Sequence, residues 1–143
     1  MKIREINRFS NRVFQAVLKL LPQLGPDTEL PTQERFKEIL KSKKIHLLIA
    51  ELDNKDIAGI LTISTYEIPT GTKVWIEDVV VDESQRGKGI GEELMKYAID
   101  FSRTTGAKAI DLTSRPYRTA ANQLYRKLGF VLRETNVYRY PLK

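Results

Sequence analysis

The stretch from Val74 to Phe101 constrains the fold more than any other part of the chain. The run Val74-Trp75-Ile76-Glu77-Asp78-Val79-Val80-Val81 is β-branched and largely apolar on both alternating faces, which predicts a central, buried strand. A basic turn with three glycines follows, Gln85-Arg86-Gly87-Lys88-Gly89-Ile90-Gly91. Ile90, Leu94, Ala98 and Phe101 then recur at helical spacing, and Gly106 stands near the expected stop. Ala107–Thr113 reads as another strand. Strand, helix and strand in that order make a parallel crossover, which requires a sheet with helices packed on it. The helix start also offers unpaired N–H groups and positive dipole potential, and the glycines let backbone approach an anion closely. The expected ligand there carries phosphate.

The remaining elements fit around this unit. Met1–Ile6 alternates like a short strand. Ser10 is a candidate N-cap for a helix with Phe14, Val17, Leu18 and Leu21 on one face, limited by Pro22. Pro22–Pro31, with its three prolines and a glycine, is loop, and a second short helix follows Thr32 with Phe36, Ile39 and Leu40 inward. Ile45–Leu52 and Ile57–Thr65 are joined by Asp53-Asn54-Lys55-Asp56 and read as an antiparallel hairpin. Pro69-Thr70-Gly71 turns the chain into Lys73–Val81. Ala121, Leu124, Tyr125 and Leu128 stripe a last helix ending at Gly129, and Phe130–Leu132 and Val137–Tyr140 read as two closing strands. The order is β-α-α-β-β-β-α-β-α-β-β. That is an α/β fold with a mixed, mostly antiparallel sheet flanked by about four helices. No linker or repeat divides the chain, so residues 1–143 are expected to form a single domain.

Composition narrows the chemistry. There is no cysteine, so disulfides, thiolate metal sites and a cysteine acyl-enzyme are excluded. The single histidine, His46, lies in the apolar run Ile45–Ile49 and reads as a structural strand residue; no metal site is expected. The N-terminus has no signal-peptide core and no stretch approaches membrane-spanning length, so a cytoplasmic protein without membrane association is expected. The net charge of +6 comes from lysines and arginines interleaved with acids. No stacking platform or recognition helix accompanies it, so nucleic acid is not an expected partner.

Three phosphate motifs compete at the glycine turn. A Walker A loop fails because Gly87-Lys88 is followed by Gly89 rather than serine or threonine. A dinucleotide fingerprint places its third glycine one residue later. Asp111 does stand about twenty residues beyond the turn, but too little chain follows for the rest of such a sheet. A plain tight connection would need only two of the glycines. The third motif, Arg/Gln-x-x-Gly-x-Gly/Ala, is met by Arg86, Gly89 and Gly91. Here the chain resembles the GNAT N-acetyltransferase superfamily. Ile76-Glu77-Asp78-Val79-Val80-Val81-Asp82 is similar to that family's fourth strand, and Leu124-Tyr125-Arg126-Lys127-Leu128-Gly129-Phe130 to its last-helix motif. The resemblance runs from about residue 73 to 130, the expected coenzyme-binding core.

The resemblance implies an acetyl-CoA-dependent acyltransferase that moves an acetyl group directly to a primary amine of a small molecule or peptide. It implies that Arg86, Gly87, Lys88, Gly89, Ile90 and Gly91 grip the coenzyme pyrophosphate, and that the backbone of Val79, Val80 and Val81 pairs with the pantetheine arm. Tyr125 is implied as general acid at the coenzyme sulfur; a core aromatic is the other reading of an inward helix tyrosine. Arg118 stands where family members often carry asparagine, and Asn122 is the candidate for that amide contact. The residues themselves point to Glu77 as general base, because a carboxylate in apolar surroundings has a raised pKa. A buried anion paired with an arginine, or a residue at a sheet margin, remains open for it, and Asp78 exchanges roles with Glu77 if a bulge shifts the alternation. The acceptor pocket is expected to draw on Pro22–Pro31, Tyr66–Thr72 and Val137–Tyr140, with Asp27, Glu29, Tyr66, Tyr138 and Tyr140 as candidates to meet a cationic amine. The resemblance also allows a homodimer. The alternative is a GNAT-like domain that binds acetyl-CoA without catalysis.

Overall fold

The computed structural model describes all 143 residues. Chain contacts divide it into two compact units, Met1–Leu112 and Thr113–Lys143. The first holds a five-stranded sheet in the order β1-β2-β3-β4-β5, with β1 Lys2–Ile6, β2 Ile45–Glu51, β3 Ile57–Ile68, β4 Gly71–Val81 and β5 Ile110–Asp111. The first four strands run antiparallel to their neighbours, and β5 joins β4 in parallel. Helices α1 Asn11–Leu20, α2 Gln33–Lys41 and α3 Ile90–Arg103 belong to this unit, and α4 Thr119–Lys127 to the second. The expected mixed sheet and four helices are present. No helix is long and apolar enough to cross a membrane.

Local chemistry sets the helix starts. The Ser10 hydroxyl accepts from Val13 N at 3.2 Å, and the Thr32 hydroxyl from Arg35 N at 3.1 Å. From these caps, α1 and α2 deliver Val13, Phe14, Val17, Leu20 and Phe36 onto one sheet face, against Leu47, Ile49, Ile60 and Val80. The other face receives α3. A Cβ on Gly59 would lie 3.1 Å from Leu94 and 3.0 Å from the Val80 carbonyl oxygen, so only glycine admits the helix this closely. His46 is structural, as expected. Its ring packs 4.4 Å from that of Phe101, and Nδ1 lies 2.7 Å from Glu5 Oε1.

A buried carboxylate ties β2 to its surroundings. Glu51 is 8% exposed, and its Oε2 accepts from Arg12 at 2.6 Å and Arg4 at 3.1 Å. These two guanidinium groups hold its pKa down from the ordinary 4.5 to about 2. Glu51→Gln is expected to cost about 2 kcal/mol, less than a fully buried pair because both arginines keep solvent contact. The folded pKa lies below the unfolded one. The ionised group therefore stabilises above about pH 4.5, and the contribution is lost as pH falls through about 2. Urea titrations of both proteins should show the gap at pH 7 closing over that window; a gap that is constant with pH would contradict the ion-pair account.

Three expectations are corrected. Ala107–Thr113 forms a strand only at Ile110–Asp111, paired with Val74 and Trp75, so β4 has no strand on that side beyond Trp75. Phe130–Leu132 and Val137–Tyr140 are not strands; residues after Lys127 have no regular structure, and Leu132, Tyr138 and Tyr140 are 92%, 89% and 87% exposed. An isolated two-stranded hairpin is marginal in water, and residues 113–143 supply no third strand to support one. The third correction concerns the faces of β4.

Candidate active site

Strand β4 pairs with β3 through Thr62↔Glu77 and resumes at Ile60↔Val80. Two steps along β3 therefore span three along β4, leaving a surplus residue in the bulge at Asp78–Val79. Asp78 has a φ of +51°, in the left-handed region that aspartate tolerates better than most residues. Strict alternation would place Val80 with Asp78 and opposite Glu77. Instead Val80 returns to the face of Thr62 and Glu77, and Asp78 lines a cavity on that same face. The bulge thus gathers two adjacent acids on one side of the sheet.

Both carboxyls were expected to be buried, and both are exposed. Neither makes an ion pair or a side-chain hydrogen bond, so neither is a structural anion held by an arginine. Surrounding protein still displaces part of their water. This partial desolvation raises the pKa of each above its ordinary value, and the negative charge of Asp78 raises Glu77 further. A carboxylate without a cation and with a raised pKa is suited to accepting a proton.

The cavity beside Asp78 has a volume of about 160 Å³. Val17, Leu21, Phe36, Leu47 and Ile60 give it a buried apolar floor. Thr62 lies on the sheet side, and Glu29, Leu30 and Arg35 are exposed lining residues. The Pro22–Pro31 loop lines this cavity through Glu29, Leu30 and Pro31. Tyr66–Thr72 does not; the Tyr66 hydroxyl instead accepts from Trp75 Nε1 at 3.0 Å. Sequence reasoning missed Thr62, Arg35 and Ile39. The pair of acids inside an apolar run was the available signal, since a bulge can bring both to one face. A larger cavity of about 410 Å³ lies between α1 and the β2–β3 turn. Its cations are paired within the protein: Arg12 and Lys55 share Glu51, and Lys19 meets Asp82.

Asp82 and a single 3-10 turn over Glu83–Gln85 connect β4 to the glycines. Gly87 and Gly89 have φ of +78° and +81°, and Gly89 is the N-cap of α3 with no side chain capping the helix. The first helical bond runs from Glu93 N to Gly89 O at 3.1 Å, and the N–H groups of Ile90 and Gly91 precede it. Arg86 Nε donates to the Val81 carbonyl at 3.1 Å and Lys88 Nζ to Gln85 Oε1 at 3.0 Å, bracketing the turn with positive charge. The residues present therefore fit a pyrophosphate, which needs exposed amides, a helix dipole and cations together.

In the second unit, Tyr125 lies on α4 with its ring centroid 5.9 Å from that of Phe130. Burial pushes its phenol above the ordinary value, and the charge of Arg118 acts against that. The Asn122 amide donates to the carbonyls of Arg115 and Arg118 at 3.0 and 2.9 Å, bracing the start of the helix.

Comparison with known proteins agrees with this construction. Residues 10–130 match the model of the Acetyltransferase (GNAT) family. Glucosamine 6-phosphate N-acetyltransferase 1 of Oryza sativa subsp. japonica is 31% identical over 133 residues, covering 87% of this chain and 78% of that protein. The uncharacterized N-acetyltransferase YhdJ of Bacillus subtilis is 28% identical over 125 residues, covering 86% and 87%. In structure, an aminoglycoside acetyltransferase from an uncultured soil metagenomic sample superposes with a TM-score of 0.85 over 99% of this chain and 96% of its own, at 22% identity, a likeness of fold. With most of its length matched by the family model and by relatives of similar size, the chain belongs to the GNAT acetyltransferase family and is an acyltransferase.

Proposed function

We propose that residues 1–143 act as one acetyl-CoA-dependent N-acetyltransferase that moves an acetyl group directly to a primary amine. The observation that carries this reading is the continuity of β4. It bears the unpaired acids at its bulge and reaches, four residues past its end, the glycine turn that leads to the open start of α3 at Ile90. The names of the rice and bacterial relatives, both N-acetyltransferases, support an amine as acceptor.

Acetyl-CoA supplies an acyl thioester when bound. Arg86, Gly87, Lys88, Gly89, Ile90 and Gly91 hold its pyrophosphate, and the backbone of Val79, Val80 and Val81 takes its extended arm. The Glu77–Asp78 pair takes a proton from the acceptor ammonium, with Asp78 the member that faces the acceptor cavity. The freed amine nitrogen bonds to the acyl carbon as the carbon–sulfur bond breaks; the proton held by the acids passes on to solvent, and the second nitrogen proton, acidic once the carbon–nitrogen bond has formed, goes to the departing thiolate and leaves a neutral amide and a free thiol. Tyr125 donates a hydrogen bond to the departing sulfur, and Asn122 keeps its place in the coenzyme contact through its amide oxygen. A thiol with an ordinary pKa near 8.5 is a good leaving group, and the Tyr125 phenol holds its proton more tightly than that. Stabilisation by hydrogen bonding, rather than full protonation, is therefore its role.

The direct test is acetyl-CoA-dependent release of free thiol with primary amines, alongside thermal stabilisation by acetyl-CoA. Stabilisation with no thiol release from any amine would leave a coenzyme-binding domain and refute the enzyme. Tyr125→Phe is expected to lower kcat about 10- to 100-fold, below the usual general acid range, as fits a hydrogen bond without full proton transfer. Stabilisation by acetyl-CoA should be unchanged; equal loss of binding would mean that the ring only packs.

A further inference from the structure

The cavity beside Asp78 also limits what the acceptor is, on the condition that the N-acetyltransferase reading above holds. Its volume of about 160 Å³ falls below the roughly 300–1,000 Å³ of pockets that enclose drug-sized ligands. An amine with a handful of carbon atoms fits; an oligosaccharide amine does not. The floor of Val17, Leu21, Phe36, Leu47 and Ile60 consists of side chains without a hydrogen-bonding atom, and Ile39 and Leu30 extend it. Thr62 supplies the only uncharged side-chain hydroxyl in the lining. A sugar amine placed there would bury several hydroxyls against hydrocarbon, each unpaired one weakening binding by on the order of tenfold. Charge leads to the same place. Glu29 and Arg35 carry opposite signs and offset one another, so the lining has no net positive charge to hold a phosphate, while Asp78 remains unpaired for an ammonium group.

We propose that the acceptor is a small primary amine with a compact apolar body, its ammonium at Asp78 and its hydrocarbon on Val17, Leu21, Phe36 and Ile60. This differs from what the rice relative's name would suggest for a substrate, and it rests on side chains of this chain. The acids and Thr62 orient the nitrogen, and the apolar floor selects the body.

The test is a panel of 2-phenylethylamine, 3-methylbutylamine, glucosamine and glucosamine 6-phosphate, read as thiol release from acetyl-CoA. The two apolar amines are expected to show kcat/KM at least tenfold above either sugar amine. Leu30→Asn, at an exposed lining position, is expected to raise KM severalfold for the apolar amines alone, with kcat unchanged. Sugar amines turned over as well as or better than apolar ones would overturn the proposal and leave the acetyltransferase reading standing. Calorimetric titration of the same amines separates the two failures. Acetyl-CoA stabilisation without thiol release from any amine refutes the activity, and the cavity is then judged by binding alone. Preferential binding of 2-phenylethylamine supports the apolar acceptor, and equal or absent binding refutes it.

Discussion

Replacing Gly89 with tryptophan is expected to abolish stabilisation by acetyl-CoA and leave a folded protein. Gly89 caps α3 at φ +81°, a conformation that costs an L-residue about 1–2 kcal/mol. No atom lies within 4 Å of the position its Cβ would take, so a side chain there meets open space and leaves the core undisturbed. That open space is also where an anion must come to reach the N–H groups of Ile90 and Gly91. Alanine and tryptophan impose the same backbone strain, but only tryptophan fills the approach. Acetyl-CoA at a hundred times its Kd stabilises the folded state by about 2.7 kcal/mol, worth roughly 5–10 °C in Tm for a chain of this size. The wild type should show that shift and Gly89→Ala a reduced one. Gly89→Trp should show none, with an unliganded Tm within a few degrees of Gly89→Ala. A full shift in the tryptophan variant would move the coenzyme site elsewhere.

What could be read from the sequence separates along a physical line. The caps at Ser10 and Thr32, the β2–β3 turn and the glycine turn are local, since each depends on residues within a few positions. They were all legible. The faces of β4 were not, because alternation assumes an uninterrupted ladder and one surplus residue at Asp78–Val79 reverses everything after it. The apolar stretch Ala107–Thr113 has strand composition along its length, but pairing is a property of two strands, and it ends at Asp111. The C-terminal segments failed for the same reason: Val137–Tyr140 alternates well enough but has no ladder partner. The cavity beside Asp78 lay further out of reach. Phe36, Leu47 and Ile60 come from three separate elements and were legible only as core.

The bulge leads to the second large effect. Asp78→Asn is expected to lower kcat by about 10²-fold or more, within the range of a lost general base. Asparagine is nearly isosteric and also tolerates positive φ, so the bulge at +51° survives the change. Only the basicity and the charge are removed. Glu77→Gln should cost less than about tenfold, since Asp78 and not Glu77 lines the cavity, and burial alone raises the Asp78 carboxyl. In the wild type, kcat/KM should fall as pH drops through the raised carboxyl pKa, and this acid limb should vanish in Asp78→Asn. Stability should move the other way. A carboxyl whose folded pKa is raised binds its proton more tightly in the folded state, so its ionisation opposes folding as pH rises above the ordinary 3.8. At pH 7 the asparagine variant should therefore melt no lower than the wild type, and any difference should disappear below about pH 3.8. An inactive variant that also melts much lower would indicate a broken bulge and not a missing base. A larger loss in Glu77→Gln than in Asp78→Asn would assign the proton to Glu77, and the cavity-facing carboxyl would then only hold the ammonium group in place.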